Sequence, residues 1–302
     1  MARHGNNIDF MPELPEVETT VRYLRRRLVG FRFRDVWSDW EKTLKQAGGS
    51  VNLKKEIRNK KIVGVHRRAK FIVIDIEGSK SLFIHQKISG HLLYGVWNFE
   101  NGVWKALKSG ALKNDPENKY IRVVFSLNNG HQLALADLRR FAKIILVKDK
   151  DISNFKEIRD LGPEPLKMSF NEFGGLFKHK KGRIKPVIMD PFFIVGIGNI
   201  YADEILWRAG LHPLSGVENI SEEDLKNIYR WMKIILFKAI EMGGSSVDDY
   251  RMPSGKKGSY QNLHRAYQRT GKKCAKNDGG VIKRLKIGGR SAHFCNEHQK
   301  LV

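Results

Sequence analysis

The chain has 302 residues and sets 55 lysines and arginines against 32 aspartates and glutamates, a formal net charge of +23. The charge runs through the whole length, which implies a basic surface that collects phosphates and makes nucleic acid the leading partner class, RNA included. No apolar run reaches the roughly 18 residues that cross a bilayer and no apolar signal core opens the sequence, while two cysteines exclude a secreted disulfide scaffold and suit a reducing cytoplasm.

The predicted elements begin at Met11-Pro12-Glu13-Leu14-Pro15-Glu16-Val17-Glu18. Pro15 suits a first helical turn, and Glu16 and Glu18 suit its positive end. Val17, Val21, Leu24 and Leu28 then form one apolar stripe, closed by Gly30. A chain that started at Pro12 would carry a free secondary amine, able to attack a sugar or carbonyl carbon and leave as an iminium while Glu13 moves the proton. With Met11 attached, the Pro12 nitrogen is a tertiary amide whose lone pair is delocalised. Catalysis therefore requires that residues 1–11 be a removed leader; a chain retaining them reads as a non-catalytic binder.

Short branched strands are predicted over 61–65, 71–76, 82–85, 121–127, 132–136 and 144–147, punctuated by Glu77-Gly78 and Asn129-Gly130 turns. Arg67-Arg68-Ala69-Lys70 reads either as the polar edge of a turn or as a lysine held to reach a phosphate or sugar. Asp137-Leu138-Arg139-Arg140-Phe141 reads either as a solvated arginine pair or as a wedge for a base stack. After Asp151 the pattern turns helical. Phe170, Phe173 and Phe177 share a face, and Ser221 opens a long helix through Leu225, Ile228, Met232, Ile235, Leu236 and Ala239. Between them, Gly196-Ile197-Gly198-Asn199 starts another helix, with Asn199 as cap, phosphate ligand or both. The stretch 243–259 reads as a mobile loop rather than core.

The tail holds Cys274 and Asn277, then Cys295 and His298, the spacing of a four-ligand zinc ribbon with Asn at one ligand position. Asp278, His293 or water could complete the set; otherwise Val281, Leu285, Ile287 and Phe294 must hold the ribbon by packing. Gly288-Gly289-Arg290 would present Arg290 at a hairpin tip, suited to bidentate phosphate contact.

Four of these motifs, Pro12 to Glu16, Asp137 to Phe141, Gly196 to Ala202 and Gly288 to Ser291, resemble in residues and order those of the bacterial formamidopyrimidine-DNA glycosylases, and the resemblance covers nearly all of 11–298. It implies an α+β multidomain fold: an N-terminal antiparallel β-sandwich with an N-terminal helix over 12–148, a helix-two-turns-helix domain over 149–259, and a zinc-finger-like β-hairpin over 260–302, with DNA in the cleft between domains. It implies excision of oxidised purines, 8-oxoguanine and formamidopyrimidines, followed by strand cleavage through β,δ-elimination. The partner it implies is double-stranded DNA carrying an oxidised base or abasic site, the state a monomer, and the cofactor one zinc per chain on Cys274, Cys295 and His298. Carried over residue by residue, Pro12 resembles the nucleophile on C1′, Glu13 the acid that opens the sugar, Lys70 the lysine of the glycosylase step and Arg290 the arginine that clamps phosphate. Asn199 and Lys185 join Arg290 on the DNA, and Glu16 helps position the flipped nucleotide. Arg139 and Phe141 resemble two of three void-filling residues. The third is usually Met, and here Ile88 stands in its place, with Gln86-Lys87 replacing the usual Leu-Gly before it. The related endonuclease VIII-like group, which prefers oxidised pyrimidines, is the nearest rival.

Overall fold

The computed structural model describes residues 11–302, so the predicted leader lies, apart from Met11, outside the described residues. Two compact units emerge, one of the residues up to Arg159 together with Met242–Ser259, the other of Asp160–Glu241 and Tyr260–Val302. The stretch 242–259 thus groups with the sandwich and the ribbon with the helices.

The first unit opens with α1, Leu14–Leu28, whose Val17, Val21, Leu24 and Leu28 are fully buried as the stripe predicts. It continues through β1 (Phe33–Ser38), α2 (Gly49–Ile57), β2 (Ile62–Arg68), β3 (Phe71–Ile76), β4 (Lys80–His85), β5 (His91–Gly95), β6 (Trp97–Glu100), β7 (Val103–Ala106) and the single turn α3 (Ala111–Asn114). Then follow β8 (Ile121–Leu127), β9 (Gln132–Ala136), β10 (Lys143–Lys148) and the short α4 (Lys156–Arg159). Two four-stranded antiparallel sheets form, ordered β1-β8-β9-β5 and β10-β4-β3-β2. Period-2 alternation sends Ile72, Ile74, Leu82, Ile84, Phe125, Leu133 and Leu135 into one core that also receives the α1 stripe. A one-residue slip would turn each strand's apolar set outward, so pairings such as Ile72 with Ile84 are fixed by burial itself. The outer face of the first sheet is covered by the β6–β7 hairpin, where Trp97 and Ala106 pack on Leu93, Val124 and Ala134.

The second unit carries α5 (Phe170–Phe177), α6 (Ile184–Met189), α7 (Asn199–Ala209) and α8 (Glu222–Glu241), then the ribbon strands β11 (Ile282–Ile287) and β12 (Arg290–Cys295). Ser169 caps α5 with a reciprocal Glu172, and the Ser221 hydroxyl accepts the Asp224 amide at the head of α8, as the sequence signals require. Asn199 does not cap α7. Gly198 holds the cap position and Asn199 is the first helical residue. The ribbon packs through Ile282 rather than Val281, which is exposed, because side chains on a two-stranded hairpin alternate and Ile282 faces Trp207, Ala266 and the cysteines.

Candidate active site and nucleic-acid interface

The head of α1 is built around Glu16, whose side chain is 1 % exposed. One carboxylate oxygen accepts the Glu13 amide at 2.9 Å and the other the Ser245 amide at 2.7 Å, while Tyr250 donates its phenol to the Glu16 carbonyl at 3.1 Å. Burial, then the charge of Glu16, push the Tyr250 phenol far above its ordinary range, so it stays a neutral donor. Gly244, at φ +80°, leaves just the room Glu16 needs: a Cβ there would lie 2.8 Å from a Glu16 carboxylate oxygen. The stretch 243–259 is therefore held, not loose. Arg251 adds a 2.7 Å bond to Asp115, and Tyr94 donates to the Pro253 carbonyl. Four polar anchors and buried Tyr250 and Arg251 outweigh the disorder that its Gly, Ser and Lys content suggests.

Lys70 sits in the two-residue turn between β2 and β3, after Ala69 at φ +51°. Arg67 ties this turn to α1, donating to Glu18 at 2.9 Å and to the Ala69 carbonyl at 3.0 Å. Burial would raise the Glu18 carboxyl, but hydrogen bonds from Arg22 and Arg67 win and hold it below its usual range. Behind the turn, His85 packs edge-on against Phe71 and accepts the Lys87 amide on Nδ1. Burial, then the charges of Lys87, Lys70 and Lys143, keep its imidazole well below 6.5 and neutral.

Two loops far apart in sequence meet beside β9. Ser89, one residue after Ile88, donates its hydroxyl to Asp137 and accepts the Arg139 amide at 2.9 Å. Asp137 also accepts the Ala142 amide at 2.8 Å, closing the turn that carries Arg139 and Phe141. Arg139 lies over the Phe141 ring, which is 50 % exposed. The structure thus brings Ile88, Arg139 and Phe141 onto adjoining loops of one unit.

In the other unit Asn199 begins α7 with both side-chain polar atoms buried and without a partner among the described residues. Such an amide is a costly group to leave unsatisfied unless a ligand meets it. Gly288 and Gly289, at φ +55° and +80°, form the tight turn that pairs Ile287 with Arg290. Arg290, Gly288, Lys185, Pro186, Met189 and Asp190 help line a cavity of about 270 Å³. Lys185 is deeper than a surface phosphate ligand. Its ammonium is 2.6 Å from Asp203 and from the carbonyl of Ser291, the residue after Arg290. Asp203 also accepts from His293, so His293 is engaged there rather than in the ribbon's ligand set. One residue on, Glu204 takes the amides of Arg265, Ala266 and Tyr267; burial raises its carboxyl in spite of them. The signal that finds Asp203 and Glu204 is their place inside the apolar run Ile200 to Trp207, where buried acids must be paired.

The ribbon gathers Cys274, Asp278, Cys295 and His298, whose ligand atoms all lie within 4.8 Å of one another. Asp278, not Asn277, completes the set. Asn277 at φ +55° turns the chain, and His298 Nδ1 lies 2.7 Å from Asp278 and 3.5 Å from the Cys274 sulfur. Two thiols, a carboxylate and an imidazole at these separations fit a four-coordinate metal. Burial works against the Asp278 charge, yet the Gly280 amide, Cys274 and His298 hold it down to about 2, an ionised donor.

The sequence matches the Formamidopyrimidine-DNA glycosylase N-terminal domain over residues 11–144 and the Formamidopyrimidine-DNA glycosylase H2TH domain over 161–251. It is 35 % identical over 293 residues to the formamidopyrimidine-DNA glycosylase of Pelotomaculum thermopropionicum, covering 96 % of this chain and all of that one. The chain belongs to the formamidopyrimidine-DNA glycosylase family. The Solibacter usitatus relative is 36 % identical over 294 residues, with the same coverage. Among solved structures, a mutant Lactococcus lactis Fpg bound to DNA containing Fapy-dG is 30 % identical, with a TM-score of 0.82 over 96 % of this chain and 100 % of that one. The same organism's Fpg on DNA containing an abasic site gives 0.80 at 30 % identity, over 95 % and 99 %. These are DNA-repair glycosylases, and the α+β fold with a helix-two-turns-helix module and a terminal β-hairpin is the family's.

Proposed function

We propose that this glycosylase, in a form that begins at Pro12, excises oxidised purines from double-stranded DNA and cuts the strand at the abasic site left behind. The observation that carries the reading is the Glu16 clamp, which locks the Glu13 backbone at the helix start and so directs what precedes it. That the family match starts at Met11 agrees. The Pro12 amine attacks C1′ as the bond to the base breaks, and the base departs with a proton. Glu13 protonates the ring oxygen as the sugar opens, leaving an iminium between Pro12 and C1′. Loss of a C2′ proton then expels the 3′-phosphate, loss of the C4′ proton expels the 5′-phosphate, and water hydrolyses the iminium to release the sugar fragment and restore the Pro12 amine. Lys70 assists the first step through its charge. Asn199 and Arg290 grip flanking phosphates while Ile88, Arg139 and Phe141 fill the space of the flipped nucleotide, and Lys185 supports the DNA-binding face from below. Cys274, Asp278, Cys295 and His298 would hold one zinc, which would cross-link the ribbon and supply no chemistry to the reaction.

Incubation of the chain starting at Pro12 with duplexes containing 8-oxoguanine should release the free base and leave strands phosphorylated at both ends. Intact 8-oxoguanine duplex after long incubation would overturn the reading. Oxidised pyrimidines are a second substrate class, because wild-type Lactococcus lactis Fpg has been crystallised with DNA containing one. Duplexes with a ring-saturated thymine, assayed in parallel, decide the preference.

A further inference from the structure

His91 is fully buried on β5 in a stretch that the proposed chemistry does not use. It stands in a continuous line of close polar contacts within the first unit, its link to Ser89 also carried by two residues of backbone. Asn118 donates its amide to the carbonyls of Ala111, at 2.8 Å, and Gly255, at 3.1 Å. Those two bonds fix which way the amide points, so its oxygen faces His91 Nε2 at 3.1 Å. The ring is therefore protonated on Nε2, and its Nδ1 faces the Ser89 carbonyl at 3.3 Å. From Ser89 the line continues to Asp137 and to the Arg139 amide.

One end of this line is the 251–259 loop, which follows directly on the Ser245 and Tyr250 anchors of Glu16. The other end is the pair of loops that carry Ile88, Arg139 and Phe141. The loop at each end is held closely. A Cβ on Gly255 would lie 2.8 Å from the Asn118 amide nitrogen and from the Leu112 backbone nitrogen, and one on Gly90 would collide with the Gln86 carbonyl. Neither end can shift without breaking a bond in the line or a contact at its ends. Burial pushes the His91 imidazole down to about 4, although the Asn118 and Ser89 oxygens that face it favour the protonated ring, so it remains a neutral single donor through the physiological range.

We propose that His91 and Asn118 are positioning residues that keep the loop beside Glu16 and the Ile88, Arg139 and Phe141 loops in one register, so that entry into the base stack and closure at the reaction centre occur together. This rests on the glycosylase reading above. A merely structural role would weaken every activity alike, whereas a register role affects only substrates that have a stack to enter.

The test uses the chain beginning at Pro12 with two substrates: a duplex holding 8-oxoguanine beside 2-aminopurine, and a single-stranded abasic oligonucleotide, which has neither stack nor base. His91→Leu leaves the Asn118 oxygen unsatisfied and should slow single-turnover excision from the duplex roughly tenfold or more, with a matching loss of the 2-aminopurine rise on binding. Cleavage of the single strand should change less than about twofold on the same basis. His91→Gln, which keeps an N–H for Asn118, should restore most of the duplex rate. Ser89→Ala breaks the line at another link with a smaller change of volume and should repeat the selective loss if His91→Leu does not fold. Equal losses on both substrates, or an unchanged duplex rate in folded His91→Leu and Ser89→Ala, would overturn the proposal. A wild-type chain that raises 2-aminopurine fluorescence without cutting would contradict the glycosylase reading alone, and the fluorescence comparison among variants would still decide this one.

Discussion

Glu16 illustrates how a single buried carboxylate can tie the start of a helix to a segment more than two hundred residues away. Both its oxygens are spent on backbone amides, and the glycine opposite exists to admit it. Gly244→Ala would place a Cβ against Glu16 and force a left-handed conformation on alanine, at a cost of about 1–3 kcal/mol. We expect a lowered melting temperature and a larger loss in excision rate than in DNA affinity, measured by thermal unfolding and single-turnover kinetics. Arg290 acts differently, as a charge at a turn. Arg290→Ala should lower the log–log salt slope of DNA binding by about one unit in a normally folded protein, checked by titrations across salt concentrations. The helix start at Glu13 and Glu16 was legible because its signals lie in adjacent residues. Ser89 with Asp137, and Lys185 with Asp203 and Ser291, were not, since each pairing joins segments that only tertiary structure brings together.

At the scale of elements, α1 could be read directly from its apolar spacing, and Leu24 is expected to behave as full core. Leu24→Ala should destabilise the protein by about 2–5 kcal/mol in urea unfolding without altering the lesion specificity of what remains folded. The strands β2, β3, β4, β8, β9 and β10 were legible because each is a branched run bounded by turns. β1 escaped for a physical reason: a bulge between Phe33 and Asp35 breaks the alternation that marks a strand. The β6–β7 hairpin did carry its signal, Asn101-Gly102 with both residues at positive φ, though its short arms offered little periodicity. In the ribbon, spacing pointed to Cys274, Cys295 and His298, while the fourth donor lay one residue past the expected position. Asp278→Ala should lower zinc affinity, with about one zinc per wild-type chain by elemental analysis and less after dialysis of the variant. An unchanged zinc content in Asp278→Ala would rule Asp278 out as a ligand.

For the whole molecule, buried imidazoles set the response to acid. Burial holds both His91 and His264 down to about 4, while an unfolded chain titrates them near its ordinary value of about 6.5. Between those values the unfolded state binds more protons, so stability falls as pH drops from about 6.5 towards 4 and levels off below. His91 alone would account for on the order of 3 kcal/mol across that window. Urea midpoints at several pH values should decline in this direction, and His91→Gln should flatten part of the slope. A stability independent of pH between 6.5 and 4.5 would mean that these rings are hydrated in solution.

The proposal as a whole depends on an amine at Pro12. Whether it is the nucleophile can be measured by borohydride reduction during reaction with an abasic-site duplex, followed by mass spectrometry of the trapped peptide. A chain that begins at Pro12 should form one covalent adduct with DNA, located on the Pro12 nitrogen, and Pro12→Gly should trap less because its primary amine is the weaker nucleophile. Efficient trapping by a chain shown to retain residues 1–11, or an adduct located on Lys70 or another lysine, would contradict it.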